Sequence, residues 1–334
     1  MKKAKRLLGM LLAAFVFVGC SVTPADTTTS EKEEMVTIRV SALSGPTAMG
    51  MVKLMKDAKE NATENTYSFG ELSTDPAAFV AGITKGDIDI CAVPSNLAAN
   101  LYNKTNGEIL VLAANVYGVV SIVERGENSI TSFQDLKGHT IYATGQGAVP
   151  EYTLRYLLEK NELDSARDVD IRWCADTTEA LSMIQNDTNA IAMLPQPFVT
   201  AAQSQVSDLR VVLDLNDEWS KVNSECRIIT GCLVVSKEFA DKYPKQLKTF
   251  LEEYKASVDF TATNVDEAAE LIAEAGIVKA APLAKKALPY CNLTCLTGSE
   301  LKASLSAYLQ IIYDYNPKAV GEELPGDDFY YEAK

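Results

Sequence analysis

One histidine and two tryptophans occur in 334 residues, and only 31 basic side chains stand against 45 acidic ones. Scarce histidine removes most nucleophilic and zinc chemistry. His139 is the sole imidazole, and it opens a predicted strand, whereas ligands of α/β sheets bind beyond the other, carboxyl end of the strands. No Ser–His or Cys–His pair can form at that end, and no Gly-x-Ser-x-Gly elbow occurs. Gly145-Gln146-Gly147 lacks the third glycine and downstream acid of a dinucleotide fingerprint, and no phosphate-loop lysine follows. No catalytic residue, metal or cofactor is therefore expected. The formal charge of −14 repels phosphate backbones, so nucleic acid is disfavoured as a partner.

Long apolar runs are missing too. The longest opens the chain: Lys2, Lys3, Lys5 and Arg6, then Leu7 to Val18. That is shorter than the roughly 20 residues a membrane span needs, and the basic flank marks a signal peptide over residues 1–19. Phe17-Val18-Gly19-Cys20 resembles a bacterial lipobox, with Phe17 where Leu is usual, so Cys20 is the expected lipidation site. Residues 20–35 continue as a polar, Thr- and Glu-rich linker without apolar periodicity. Six further cysteines (Cys91, Cys174, Cys226, Cys232, Cys291 and Cys295) show no metal spacing. Cys91 and Cys232 read as buried small hydrophobes, and Cys291 and Cys295 as sharing a helix turn or closing a small disulfide.

From residue 36 the chain repeats itself. Val36 to Val40 alternates as a strand, Ser44-Gly45-Pro46-Thr47 breaks it, and a helix follows through Met51, Val52 and Met55. Asp75 and Pro76 start a second helix, Ile88 to Val93 is a buried strand that Pro94 ends, and Ser95 can cap the next helix. The same order returns about a hundred residues on: strand His139 to Ala143, turn Thr144 to Gly147, helix Val149 to Lys160. Ile83 to Pro94 then aligns without a gap to Ile184 to Pro195, and the Gly45–Pro94 and Gly145–Pro195 intervals agree to within one residue. Two copies of a strand–helix unit with buried apolar strands predict two α/β lobes facing each other across a cleft. The chain crosses near Val116 and returns after Leu213, giving lobe one as residues 36–116 and 214–334 and lobe two as 117–213. Helices are expected over Pro244 to Thr261, Val265 to Ala275, Lys279 to Ala287 and Ser299 to Tyr315, all packed on lobe one.

Several stretches resemble one family. Gly45 to Gly50 (GPTAMG), Gly86 to Pro94 (GDIDICAVP), Ser132 to Gly138 (SFQDLKG), Met193 to Phe198 (MLPQPF) and Val234 to Phe239 (VVSKEF), in that order, resemble substrate-binding proteins of the nitrate/sulfonate/taurine type, the NMT1/THI5-like family of ABC transporters. The resemblance implies a type II periplasmic-binding-protein fold with a two-strand hinge and a ligand cleft. It also implies capture of a sulfonate, nitrate-like anion or thiamine-precursor pyrimidine and delivery to a permease and ATPase. With the lipobox, that places a monomeric, lipid-anchored protein on the outer face of the bacterial cell membrane. A surface solute sensor using the same cleft is the alternative. Relatives of the fold also include biosynthetic enzymes, but export would part such an enzyme from its pathway.

Ligand contacts are expected on loops at strand carboxyl ends. In lobe one these are Ser44, Gly45, Pro46, Thr47, Ala48, Ser95, Asn96, Asn115 and Tyr117. In lobe two they are Thr144, Gly145, Gln146, Gly147, Ala148 and Gln196. Glycines admit close backbone approach, helix N-termini favour acceptor atoms, and hydroxyl and amide groups orient. Asn96 and Gln146 are expected to touch the ligand from opposite lobes. Tyr117, Tyr152 and Trp219 are candidate walls, and Thr47 and Ser95 are equally candidates for plain helix caps. Arg227, the basic residue nearest the cleft strands, reads as a surface charge.

Overall fold

The computed structural model describes residues 36–72, 76–126 and 129–332. The expected signal peptide, the expected lipidation site Cys20, the expected linker and Asp75 fall outside these residues.

Along the chain run β1 (Thr37–Ala42), α1 (Pro46–Met49), α2 (Val52–Lys59), β2 (Thr66–Phe69), α3 (Pro76–Thr84), β3 (Ile90–Pro94), α4 (Ser95–Lys104) and β4 (Ile109–Tyr117). Then come β5 (Val120–Arg125), β6 (Thr140–Ala143), α5 (Val149–Lys160), β7 (Asp170–Trp173), α6 (Thr177–Asn186), β8 (Ile191–Pro195), α7 (Phe198–Gln205), β9 (Leu209–Asp214) and α8 (Leu215–Val222). The last part holds β10 (Ile229–Ser236), α9 (Lys237–Lys242), α10 (Pro244–Thr263), α11 (Val265–Glu274), α12 (Ala281–Ala287), β11 (Leu293–Leu296) and α13 (Gly298–Tyr315).

Two sheets result, ordered β11-β4-β10-β3-β1-β2 and β7-β6-β8-β5-β9. The repeat seen in the sequence is repeated in the pairing. β2, β1 and β3 are mutually parallel with β10 antiparallel beside β3, and β7, β6 and β8 are parallel with β5 antiparallel beside β8. The central strands β3 and β8 are buried along nearly their whole length, as strands covered on both faces must be. Their apolar runs therefore carry no alternation.

The crossings differ from those expected. β4 keeps pairing with β10 through Tyr117, which lies opposite Ile229, so the chain leaves the first sheet at Gly118–Val119 and not at Val116. The Gly118 carbonyl accepts the side-chain amides of Asn216 and Asn292, each at 2.6 Å. Asp214 does not begin the return; its carboxylate caps α8 through the N–H groups of Asn216 and Asp217, and α8 stays against β5, β9 and α5. The strand back to the first sheet starts at Ile229. α13 does not belong to lobe one alone. Its apolar stripe of Leu301, Leu305, Tyr308, Leu309 and Ile312 lies against both α4 and α5, and the Tyr308 hydroxyl meets Thr153 Oγ1 at 2.8 Å. α12 likewise touches α7 of the second lobe.

All six described cysteines are free, five of them buried. Cys291 follows a short turn and donates to the Ala287 carbonyl, while Cys295 sits in β11, so the two share neither a helix turn nor a disulfide.

Candidate functional site

Strand direction brings the site together. β1, β3 and β4 run the same way, so residues 43–48, 95–96 and 115–117 lie along one edge of the first sheet. In the second sheet β6 and β8 are parallel and the start of β5 lies opposite the end of β8, Val120 facing Pro195. Since β4 runs into β5 through two residues, these two edges adjoin at the hinge. Every predicted loop is on one edge or the other, and the side chains then divide into three groups.

The first group bonds to the protein itself, although Oδ1 of Asn96 and of Asn115 is buried without a partner among the described residues. Ser95 is fully buried and its hydroxyl donates to the Ile229 carbonyl at 2.6 Å, tying α4 to β10 instead of capping its own helix. Thr47 is no cap either, because its hydroxyl donates to the Leu43 carbonyl at 2.7 Å. Asn96 donates Nδ2 to the Ala319 carbonyl at 3.3 Å, in the turn after α13, and keeps only Oδ1 free for the expected contact opposite Gln146. Asn115 is fully buried and its Nδ2 holds the Thr47 carbonyl at 2.9 Å. Trp219 and Tyr152 are core residues and not walls. Trp219 donates Nε1–H to the Cys226 carbonyl at 2.7 Å and packs between Tyr156 and Tyr308, and the Tyr152 hydroxyl accepts from Asn316.

The second group presents backbone. Gly45 takes φ 125°, a conformation closed to most side chains, and the space where its Cβ would stand is open. The amides of Gly45, Thr47, Gly145 and Gln146 have no acceptor among the described residues. Pro46 opens α1, Ala48 is buried beneath it, and Ser44 is exposed. In lobe two Gln146 and Gly147 are exposed, Ala148 precedes α5, and Thr144 is buried. The positive end of α5 already has a counter-charge: Glu151 accepts the Gly147 N–H at 2.7 Å and the Arg155 Nε at 2.8 Å.

The third group offers side chains. Tyr117 is half-buried and carries the Arg227 guanidinium 5.0 Å from its ring centre, so Arg227 is exposed, as expected, yet stacked on a candidate ligand residue. Gln196 is buried at the end of β8, its N–H on the Val119 carbonyl at 2.8 Å and its peptide bond to Pro197 cis.

Three contributors escaped the sequence reading, two of them because they are distant in the chain. Tyr254 of α10 is buried with its hydroxyl toward Asn115; burial raises its pKa, against the pull of Asn115. Gly231 of β10 packs against Asn115 Oδ1 and Thr47 Cγ2 so closely that no Cβ fits. Thr200 of α7 holds the Gln196 side chain. No local pattern announces the first two, whereas Thr200 follows Gln196 by four residues. A cavity of about 690 Å³ also opens at the opposite edge of the first sheet, beside the Arg39–Asp89 ion pair. It lies at the amino ends of β1 and β3 and shares nothing with the cleft loops.

His139 is exposed at the amino end of β6, on the far side from these loops. Among the described residues no cluster of His, Cys, Asp and Glu could hold a metal ion, and no helix is long and apolar enough to cross a membrane.

Comparison with known proteins agrees with this architecture. An ABC transporter protein from Parabacteroides distasonis superposes with a TM-score of 0.75 at 24% identity, over 89% of this chain and 99% of that one. The periplasmic aliphatic sulphonate binding protein of Escherichia coli gives 0.72 at 15%, over 89% and 92%. At these identities the likeness concerns the fold, which is the periplasmic-binding-protein fold expected from the motifs. No curated protein matches significantly. The model of the family described as "ABC transporter, phosphonate, periplasmic substrate-binding protein" matches residues 70–288, nearly two thirds of the chain. The protein thus belongs to this family of periplasmic substrate-binding proteins, the extracytoplasmic solute-capturing components of ABC importers.

Proposed function

We propose that the protein captures a small organic molecule or anion between the loops at residues 44–48 and 144–148, and that the lobes close about Gly118 to trap it for a permease and ATPase. The observation that carries this reading is the row of unpartnered amides at Gly45, Thr47, Gly145 and Gln146, on two sheet edges that adjoin at the hinge. Such amides bind acceptor atoms without a buried cation. The ligand classes that fit are sulfonates, phosphonates, nitrate-like anions and acceptor-bearing heterocycles such as thiamine-precursor pyrimidines. A monomer tethered through a lipid on Cys20 would keep the cleft close to the importer. Nothing in this role requires catalysis. The test is thermal unfolding against a panel of these solutes, since a ligand that binds only the native state must raise the midpoint. A shift with one class names the substrate; no shift with any of them would count against capture of these solutes.

A further inference from the structure

Gln196 is 5% exposed, and its side-chain orientation is fixed by chemistry. Thr200 donates to its Oε1 twice, through Oγ1 at 2.8 Å and through the backbone N–H at 3.4 Å. A backbone N–H can only donate, so the amide atom it meets must be the oxygen, and the nitrogen is the end left over. That Nε2 has no partner among the described residues. The nitrogen is not among the fully buried atoms, so this one end of an otherwise buried side chain reaches solvent and is open to a ligand.

Building on the cleft reading, we infer that Gln196 sets the chemical class of the ligand. Its Nε2 donates to a lone pair on the bound solute, as the amides of Gly45, Thr47, Gly145 and Gln146 do. The ligand presents an oxyanion, carbonyl or ring-nitrogen acceptor at this point, and a solute whose only polar group there is an ammonium is rejected, donor against donor. Selection of this kind is strong because a mismatched buried donor keeps its full desolvation penalty.

The experiment is calorimetric titration of the full protein with three probes of one size: ethanesulfonate, ethylphosphonate and ethylammonium. The wild type is expected to bind at least one of the two acid probes and not the amine. Gln196→Glu puts a carboxylate where the donor stood. It should weaken the bound acid probe by about 10- to 100-fold at pH 7.5, with affinity recovering as the pH falls and the carboxyl regains a proton to donate. A purely structural role for Gln196 would not produce that recovery. Thr200→Val, which releases the amide to turn, should weaken the same probe by about 3- to 10-fold with the ligand-free protein still folded. Acid-probe affinity within twofold of wild type in Gln196→Glu overturns the inference while leaving the cleft intact. Preference of the wild type for ethylammonium does the same. Failure of all three probes on the wild type overturns the inference, while the cleft reading stands or falls by the wider solute panel.

Discussion

Gly231→Ala tests the packing behind the cleft. The added Cβ would stand 2.5 Å from Asn115 Oδ1, 2.8 Å from Thr47 Cγ2 and 3.4 Å from Val116 Cβ. The first two separations are too short to survive. Neither neighbour is a free chain end: Asn115 is fully buried with Nδ2 on the Thr47 carbonyl, and Thr47 is 7% exposed with its hydroxyl on Leu43. Overpacking of this kind costs about 1–3 kcal/mol. Displacing the Asn115 amide from its carbonyl adds about 1 kcal/mol. Reduced freedom of the unfolded chain returns about 0.5 kcal/mol. The net loss is about 1.5–3.5 kcal/mol, read as a lower urea midpoint at unchanged slope. Asn115→Ala removes the nearest obstacle, so Gly231→Ala should cost less in that background, by a coupling of about 1–2 kcal/mol in a double-mutant cycle. Additive effects within about 0.5 kcal/mol, or a single-mutant loss below that figure, would refute the assignment of Gly231 to this contact.

Three further outcomes follow from the same structure. Trp219→Phe deletes the Nε1–H bond to the buried Cys226 carbonyl and should lower unfolding stability by about 2 kcal/mol. Ligand stoichiometry should stay at the wild-type value, and a lost site would show that the indole faces the cleft. Asp135 is held down to about 2 by the Thr131 amide first, then by the Thr131 and Ser132 hydroxyls. A carboxyl depressed in the folded state contributes stability above its unfolded pKa, near 3.9, and loses it as the pH falls toward 2. Asp135→Asn should therefore flatten the acid-unfolding slope between about pH 4 and pH 2, and an unchanged slope would contradict these hydrogen bonds. Burial raises the thiols of Cys226 and Cys295 to about 11 and Cys291 to about 12. Cys91, Cys174 and Cys232 are raised by the same cause. At pH 8 a thiol reagent should leave the five buried thiols unmodified in the native protein and label them on unfolding; rapid native labelling of any of the five would disprove its burial.

The sequence by itself determined the repeat, and with it the two lobes. Ile83–Pro94 and Ile184–Pro195 are local patterns of helix end, turn and apolar strand, and local patterns are legible because burial writes itself into neighbouring residues. The same holds for α5, read at its observed limits of Val149 and Lys160. Short strands such as β2, β7 and β11 escaped because four residues, none of them buried, are too few to establish a period. The fate of individual side chains was decided only by tertiary structure. Ser95, Asn96, Asn115 and Gln196 look alike in sequence, polar residues at strand ends. Yet Ile229, Ala319 and Thr47 respectively bond the first three from 68 to 223 residues away, and Gln196 is met by Thr200 in the following helix. A polar side chain advertises its capacity to bond through its type, but its partner is set by whatever the fold brings within about 3 Å, and for these residues only the folded chain supplies it.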